Sequence, residues 1–136
     1  MTWDFKGDKP LYLQIMEHIK FGVVSGTYPV GSKMLSVREL AMEASVNPNT
    51  MQKALSELEK EGLLFSQRTS GRFITEDEEA VAQIRKNFLE HQMQDFFEKM
   101  QAIGYNSTEV VKLFTDFVNE RKDEHNGSIT GMPVAD

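Results

Sequence analysis

Residues 36–60 read SVRELAMEASVNPNTMQKALSELEK. The stretch predicts two helices joined by a tight turn. Ser36 and Glu39 form the Ser-x-x-Glu pair in which each side chain accepts a hydrogen bond from the other residue's backbone N–H at a helix start. Leu40, Ala41 and Ala44 supply a short apolar face, and Ser45 and Val46 make the turn. Asn47 caps the next helix, and Pro48 falls at its first position, where the missing N–H costs nothing. Met51, Ala54, Leu55 and Leu58 then recur at i, i+3, i+4 and i+7 and share one side. That leaves Asn49, Thr50, Gln52, Lys53 and Ser56 facing outward. A face kept only for solubility usually carries more Glu and Lys. Amides, hydroxyls and one ammonium can instead bond phosphates and base edges in a major groove. Two core helices with an inert polar outside fit this segment about as well, so the flanks decide.

Downstream, Gly62 stands at the left-handed position after a helix. Leu63–Ser66 and Arg72–Thr75 read as strands, with Gln67–Gly71 as a hairpin tip in which Gly71 is free to take positive φ. Upstream, Pro10 opens a helix on which Tyr12, Ile15, Met16, Ile19 and Val23 keep helical spacing, and Gly26 stops it. Tyr28-Pro29-Val30-Gly31 is turn chemistry, and Lys33-Met34-Leu35 is a brief extended piece. Residues 1–9 form an arm whose Trp3 and Phe5 pair briefly or pack on the domain. Helix, short strand, helix, helix and hairpin make a winged helix-turn-helix. Arg68 and Arg72 flank the hairpin tip, placed to hold a DNA backbone or enter a minor groove. Arg38 sits in a first helical turn, where free N–H groups attract a phosphate. Any one of these arginines reads as a solvated charge. Four cations (Arg38, Lys53, Arg68 and Arg72) set on one face by one fold point to nucleic acid.

Composition narrows the classes. At 136 residues, 40% hydrophobic and 26% charged, the chain suits a soluble domain with a small appendage. No apolar run approaches the ~18 residues of a membrane span. The opening MTWDFKGDKP lacks the apolar core of a signal peptide. Absence of cysteine excludes disulfide and thiol chemistry and agrees with a cytoplasmic location. The net charge of −6 is unevenly shared: residues 1–75 hold nine basic and eight acidic groups, net +1, whereas 76–136 hold six and thirteen, net −7. The DNA-facing part is thus not acidic, but +1 is modest, so tight binding is expected to need a dimer and specific contacts. No Ser-His-acid arrangement, paired carboxylates or phosphate-cradling glycine loop suggests an enzyme. His18, His91 and His125 are scattered and make no metal set, so neither metal nor cofactor is expected. His18 lies off the apolar stripe and reads as a solvated helix histidine.

The C-terminal part starts on the acidic run Glu76–Glu79, favourable at a helix N-terminus. Val81, Ile84, Phe88, Leu89, Met93, Phe96, Phe97, Met100 and Ile103 then define a long helix ended by Gly104. Asn106 or Ser107 caps a second, with Val110, Val111, Leu113, Phe114, Phe117 and Val118 as its apolar face. Two helices cannot bury so many aromatics alone. The natural partner is the same pair from a second copy, which predicts a homodimer meeting through Ile84, Phe88, Phe96, Phe97, Met100, Val110, Phe114 and Phe117. The expected divisions are a DNA-binding domain with its arm over 1–75, a two-helix dimerisation region over 76–122, and a flexible tail over 123–136. The fold class is mainly α with a small β-wing.

Six motifs stand in order along residues 10–75: Pro10-Leu11-Tyr12-Leu13-Gln14-Ile15, Gly26-x-Tyr28-Pro29-x-Gly31, Leu35-Ser36-Val37-Arg38-Glu39-Leu40-Ala41, Val46-Asn47-Pro48-Asn49-Thr50, Glu61-Gly62-Leu63-Leu64 and Ser70-Gly71-Arg72-Phe73-Ile74. Together, in this order and at this spacing, they resemble the GntR family of bacterial transcription regulators. The resemblance implies a repressor that binds a two-fold DNA operator as a homodimer. Arg38 would be a phosphate or base contact, Asn47, Asn49 and Thr50 the start of the recognition helix, and Gly71 the wing glycine. With Ser36, Gln52, Lys53, Arg68 and Arg72, these complete the expected DNA-facing set. The chain departs from the family pattern where Val30 and Leu35 replace prolines and where Asn47-Pro48 replaces Ser-Arg. Asn-Pro-Asn-Thr resembles the short YtrA-type branch, which implies a two-helix dimerisation region and control of an ABC transporter operon. A small-molecule effector held in the helical bundle is compatible with that plan. The competing reading is a winged-helix protein-interaction module, disfavoured by two arginines on the wing.

Overall fold

The computed structural model describes residues 2–124, the last two without their side chains. Five helices and one hairpin follow in order: α1 Leu11–Val24, α2 Val37–Ala44, α3 Pro48–Lys60, β1 Leu64–Gln67, β2 Gly71–Ile74, α4 Glu78–Ala102 and α5 Ser107–Glu124. Local chemistry sets the boundaries. Ser36 and Glu39 form the full reciprocal cap of α2, at 3.1 and 3.0 Å. Ser45 closes that helix in the left-handed region at φ 56°, and Asn47 caps α3 by accepting the Asn49 N–H at 2.7 Å. Gly62, at φ 83°, reverses the chain into the hairpin. The strands pair antiparallel, with Leu64 opposite Ile74, Phe65 opposite Phe73, Ser66 opposite Arg72 and Gln67 opposite Gly71. Pairing reaches one residue further toward the tip than the sequence predicts, so the tip is Arg68-Thr69-Ser70.

The short extended piece lies on the free edge of β2. Met34 N–H donates to the Arg72 carbonyl at 2.9 Å, Ile74 N–H donates to the Ser32 carbonyl at 2.8 Å, and Lys33 stands opposite Phe73. The core lies beneath α1, α2 and α3 and the hairpin base. Ile15, Ile19, Leu40, Met51, Leu55, Leu58, Leu63 and Ile74 are fully buried, each contributing roughly 1.5–3 kcal/mol by burial. Lys20 of α1 pairs with Glu61 after α3 at 2.8 Å. Gly22 of α1 is buried where the Tyr28 ring crosses the helix: a Cβ there would lie 2.5 Å from two ring carbons.

The arm packs on this core through Trp3 and Phe5, which corrects the reading of His18. Its ring is half-buried and stacked on Trp3, with centroids 3.7 Å apart, and its Nε2 is buried without a hydrogen-bond partner. Helical periodicity places His18 beside the apolar stripe, but the returning arm covers that flank.

The chain divides between Glu90 and His91 into two compact units. The first includes the opening turns of α4, capped by Asp77, whose Oδ1 accepts the Glu79 and Ala80 N–H groups. Val81 is buried, Ile84 packs on the core, the Phe88 ring lies 5.6 Å from Phe21, and Arg85 donates to the Val24 carbonyl at 3.1 Å. In the second unit, Asn106 rather than Ser107 caps α5, sharing two 2.9 Å bonds with Glu109. Phe114 lies 5.4 Å from Phe96 and 5.9 Å from Phe117. Asp123 and Glu124 continue α5. The rest of the expected tail, with His125, lies outside the described residues. Among those described, no helix is long and apolar enough to cross a membrane.

Candidate nucleic-acid interface

The outward side of α3 carries the groups its spacing assigns to it. Asn49, Gln52 and Lys53 are exposed, and Thr50 and Ser56 are half-buried. Several are already engaged. Gln52 Nε2 donates to Ser56 Oγ at 3.0 Å, one helical turn on. Asn47 uses its carboxamide oxygen as the cap of α3. Lys53 Nζ sits 4.0 Å from the centroid of the Tyr12 ring on α1, a cation–π contact that fixes where its charge is presented. At the start of α2, Ser36 and Arg38 are exposed. Glu39 is bonded by the Ser36 backbone N–H and hydroxyl, which hold its carboxyl below the ordinary range.

A cleft of about 800 Å³ opens between the start of α2 and the wing, lined by Lys33–Val37, Glu39 and Ser66–Arg72. Arg68 is exposed at the hairpin tip. Lys33, which sequence reasoning passes over, also lines the cleft, and its Cε would lie 3.4 Å from a Cβ at Gly71. Gly71 holds φ 104°, the positive value expected of it. No spacing in the sequence marks Lys33; pairing along the edge of β2 brings it to the wing.

Arg72 is held differently from Arg68. Its Nε donates to Glu59 Oε1 at 2.8 Å, and its side chain is only 18% exposed. Ser66, its cross-strand partner, donates its hydroxyl to the same Glu59 oxygen. Burial alone would raise the Glu59 carboxyl, but the bonds from Ser66 and Arg72 and the adjacent guanidinium together hold it below its ordinary value. Glu59 is a second residue that sequence reasoning misses, because it reads as one more solvated charge near the end of α3.

The residues expected at a dimer contact fall in both units. Ile84 and Phe88 pack within the first. In the second, Val110 is buried, Phe97 and Met100 are half-buried, and Phe96, Phe114 and Phe117 remain 41, 49 and 47% exposed. Among the described residues, no group of three His, Cys, Asp or Glu could hold a metal ion.

The family model described as "Bacterial regulatory proteins, gntR family" matches residues 11–74. The chain is 35% identical over 119 residues to the uncharacterized HTH-type transcriptional regulator YhcF of Bacillus subtilis, covering 85% of this chain and 98% of that one. It is 40% identical over 74 residues to the HTH-type transcriptional repressor YtrA of Bacillus subtilis, covering 54% of this chain and 57% of that one. A solved structure, that of the AraR DNA-binding domain in complex with operator ORX1, superposes with a TM-score of 0.50 at 27% identity, covering 55% of this chain and 99% of that chain.

Proposed function

This chain belongs to the GntR family of bacterial regulatory proteins, and from that membership we propose that it is a transcriptional repressor binding a specific, two-fold symmetric DNA operator as a homodimer. One observation carries the reading. Within a single compact unit, α3 leaves Asn49, Gln52 and Lys53 exposed, while the cleft between α2 and the wing gathers Lys33, Ser36 and Arg68. Amides suit base edges, and cations suit phosphates. The solved AraR complex supports DNA as the partner of such a domain, and the repressor YtrA supports repression.

In this reading residues 1–75 bind DNA in the cytoplasm. Residues 76–122 join two copies through Phe96, Phe114, Phe117 and their neighbours, so that two recognition helices meet half-sites about one helical turn apart. The short helical region suits a regulator of an ABC transporter operon, in keeping with the branch it resembles. An effector bound in that region would raise the melting temperature.

Selection from a random duplex pool at about 0.15 M salt, where weak surface attraction is screened, tests the reading. A symmetric motif is the expected product. A folded protein that enriches no sequence, with or without a metabolite mixture, would sink it and favour a winged helix serving a protein partner.

A further inference from the structure

We propose that Glu59 is the positioning residue of the wing: it locks the hairpin to the recognition helix through Ser66 and Arg72, and it thereby sets where Arg68 meets DNA. The consequence for DNA rests on the reading above; the lock itself does not. Three observations carry it. Glu59 stands in the last turn of α3, the helix that bears the DNA-facing amides. Its Oε1 accepts from both members of the Ser66–Arg72 cross-strand pair, so one carboxylate oxygen ties the helix to both strands at a single register position. The tie is sheltered: the Arg72 and Glu59 side chains are 18 and 29% exposed, whereas Arg68 at the tip is exposed. Residues 32–34 brace the outer edge of β2 only as far as Arg72. Among the described residues β1 has no such edge partner, and two antiparallel strands alone are marginally stable and twist easily. Held at one end by a charge-assisted bond to a buried-faced helix, the hairpin becomes a rigid arm. Arg72 is then a structural cation whose charge Glu59 neutralises, and Arg68 is the arginine the wing offers to a minor groove or phosphate.

Two experiments separate the lock from its consequence. Amide hydrogen exchange on the free protein comes first. Glu59→Ala is expected to speed exchange at the hairpin amides of residues 65–73 while leaving the amides of Met51–Leu58 unchanged, and Arg72→Ala is expected to do the same. Unchanged hairpin exchange in Glu59→Ala overturns the lock whether or not the protein binds DNA. Uniform acceleration through α3 also overturns it, as loss of general stability.

DNA affinity is then measured with the duplex recovered by selection, or with a random-sequence 30-base-pair duplex at low salt if none is recovered. Arg68→Ala is expected to weaken binding about tenfold and to flatten the salt dependence by about one ion, the signature of one lost backbone contact. Glu59→Ala is expected to cause a similar loss, and the Glu59→Ala/Arg68→Ala double variant to bind no more weakly than Arg68→Ala alone, because both act through one contact. If the two losses multiply, Glu59 does not act through Arg68. Tighter binding by Glu59→Ala would mean that the carboxylate restrains Arg72 from DNA, which reverses the proposal. Failure of the wild type to bind either duplex, with fast hairpin exchange in Glu59→Ala, would remove the DNA-binding reading and leave the lock standing.

Discussion

The His18 imidazole lies flat on the single tryptophan of the chain, with Nε2 enclosed and unbonded. A proton added there would put a charge where neither water nor an acceptor reaches Nε2. Burial accordingly lowers the His18 pKa from its ordinary 6.5. The sign follows from proton binding: the unfolded chain takes up the proton first, so the neutral stack contributes fully above the ordinary value and less as pH falls from 6.5 through the lowered one. Urea midpoints are therefore expected to drop between pH 7.5 and 5.5, and Trp3 fluorescence is expected to change over the same range as the arm loosens. His18→Gln should remove most of the pH dependence. An equal drop in that variant would assign the effect to other groups. This residue also marks a limit of sequence reading. A helical repeat identifies the stripe that faces its own core, but it cannot say that a segment from the chain terminus returns to cover the neighbouring flank.

Single elements were more legible, because their signals are local. The Ser36–Glu39 cap, Pro48 at the start of α3 and the positive φ of Gly62 and Gly71 all depend on residues within a few positions of one another, as does the cap of α5, which the sequence narrows to Asn106 or Ser107 and the structure assigns to Asn106. The same holds for the buried row Met51, Ala54, Leu55 and Leu58, and hence for the outward face it leaves. What could not be read was the set of contacts closed across elements: Lys33 on the edge of β2, Lys53 over Tyr12, and Glu59 against Ser66 and Arg72. These depend on how strands and helices meet, and no spacing encodes them. The exposed face of α3 yields a prediction at its own scale. Asn49 and Gln52 carry amides that suit adenine, so Asn49→Ala and Gln52→Ala are expected to change the base preferred at one position in each half-site, at about 1–3 kcal/mol of discrimination. The salt dependence should stay as in the wild type, since no phosphate contact is lost. Selection with each variant checks this. The wild-type motif returning from both would move base readout away from this face.

At the scale of the whole molecule, the second unit leaves apolar surface that its own two helix segments do not cover. Met93 and Ile103 are 54 and 70% exposed, and Phe96, Phe114 and Phe117 stay about half exposed although their rings touch. Apolar area returned from water contributes roughly 25 cal/mol per Å², so covering this surface with a second copy would drive the proposed homodimer, and a two-fold arrangement would close the assembly. The charge distribution is compatible with the proposed dimer: residues 1–75 carry only +1, a modest bulk attraction to DNA, and two linked copies would gain avidity from adjacent half-sites. Sedimentation of the wild type at micromolar concentration should give a dimer. Phe114→Glu places a charge inside the aromatic cluster and is expected to shift the population to monomer. Met93→Glu, at a residue with no aromatic ring to disturb, should do the same with less risk to folding, and circular dichroism verifies that the helices persist. Operator affinity should fall by at least tenfold in both variants while binding to an isolated half-site is retained. A wild-type monomer, or a Met93→Glu dimer that binds its operator normally, would mean that this surface serves another partner and that dimer formation, if any, uses a different face.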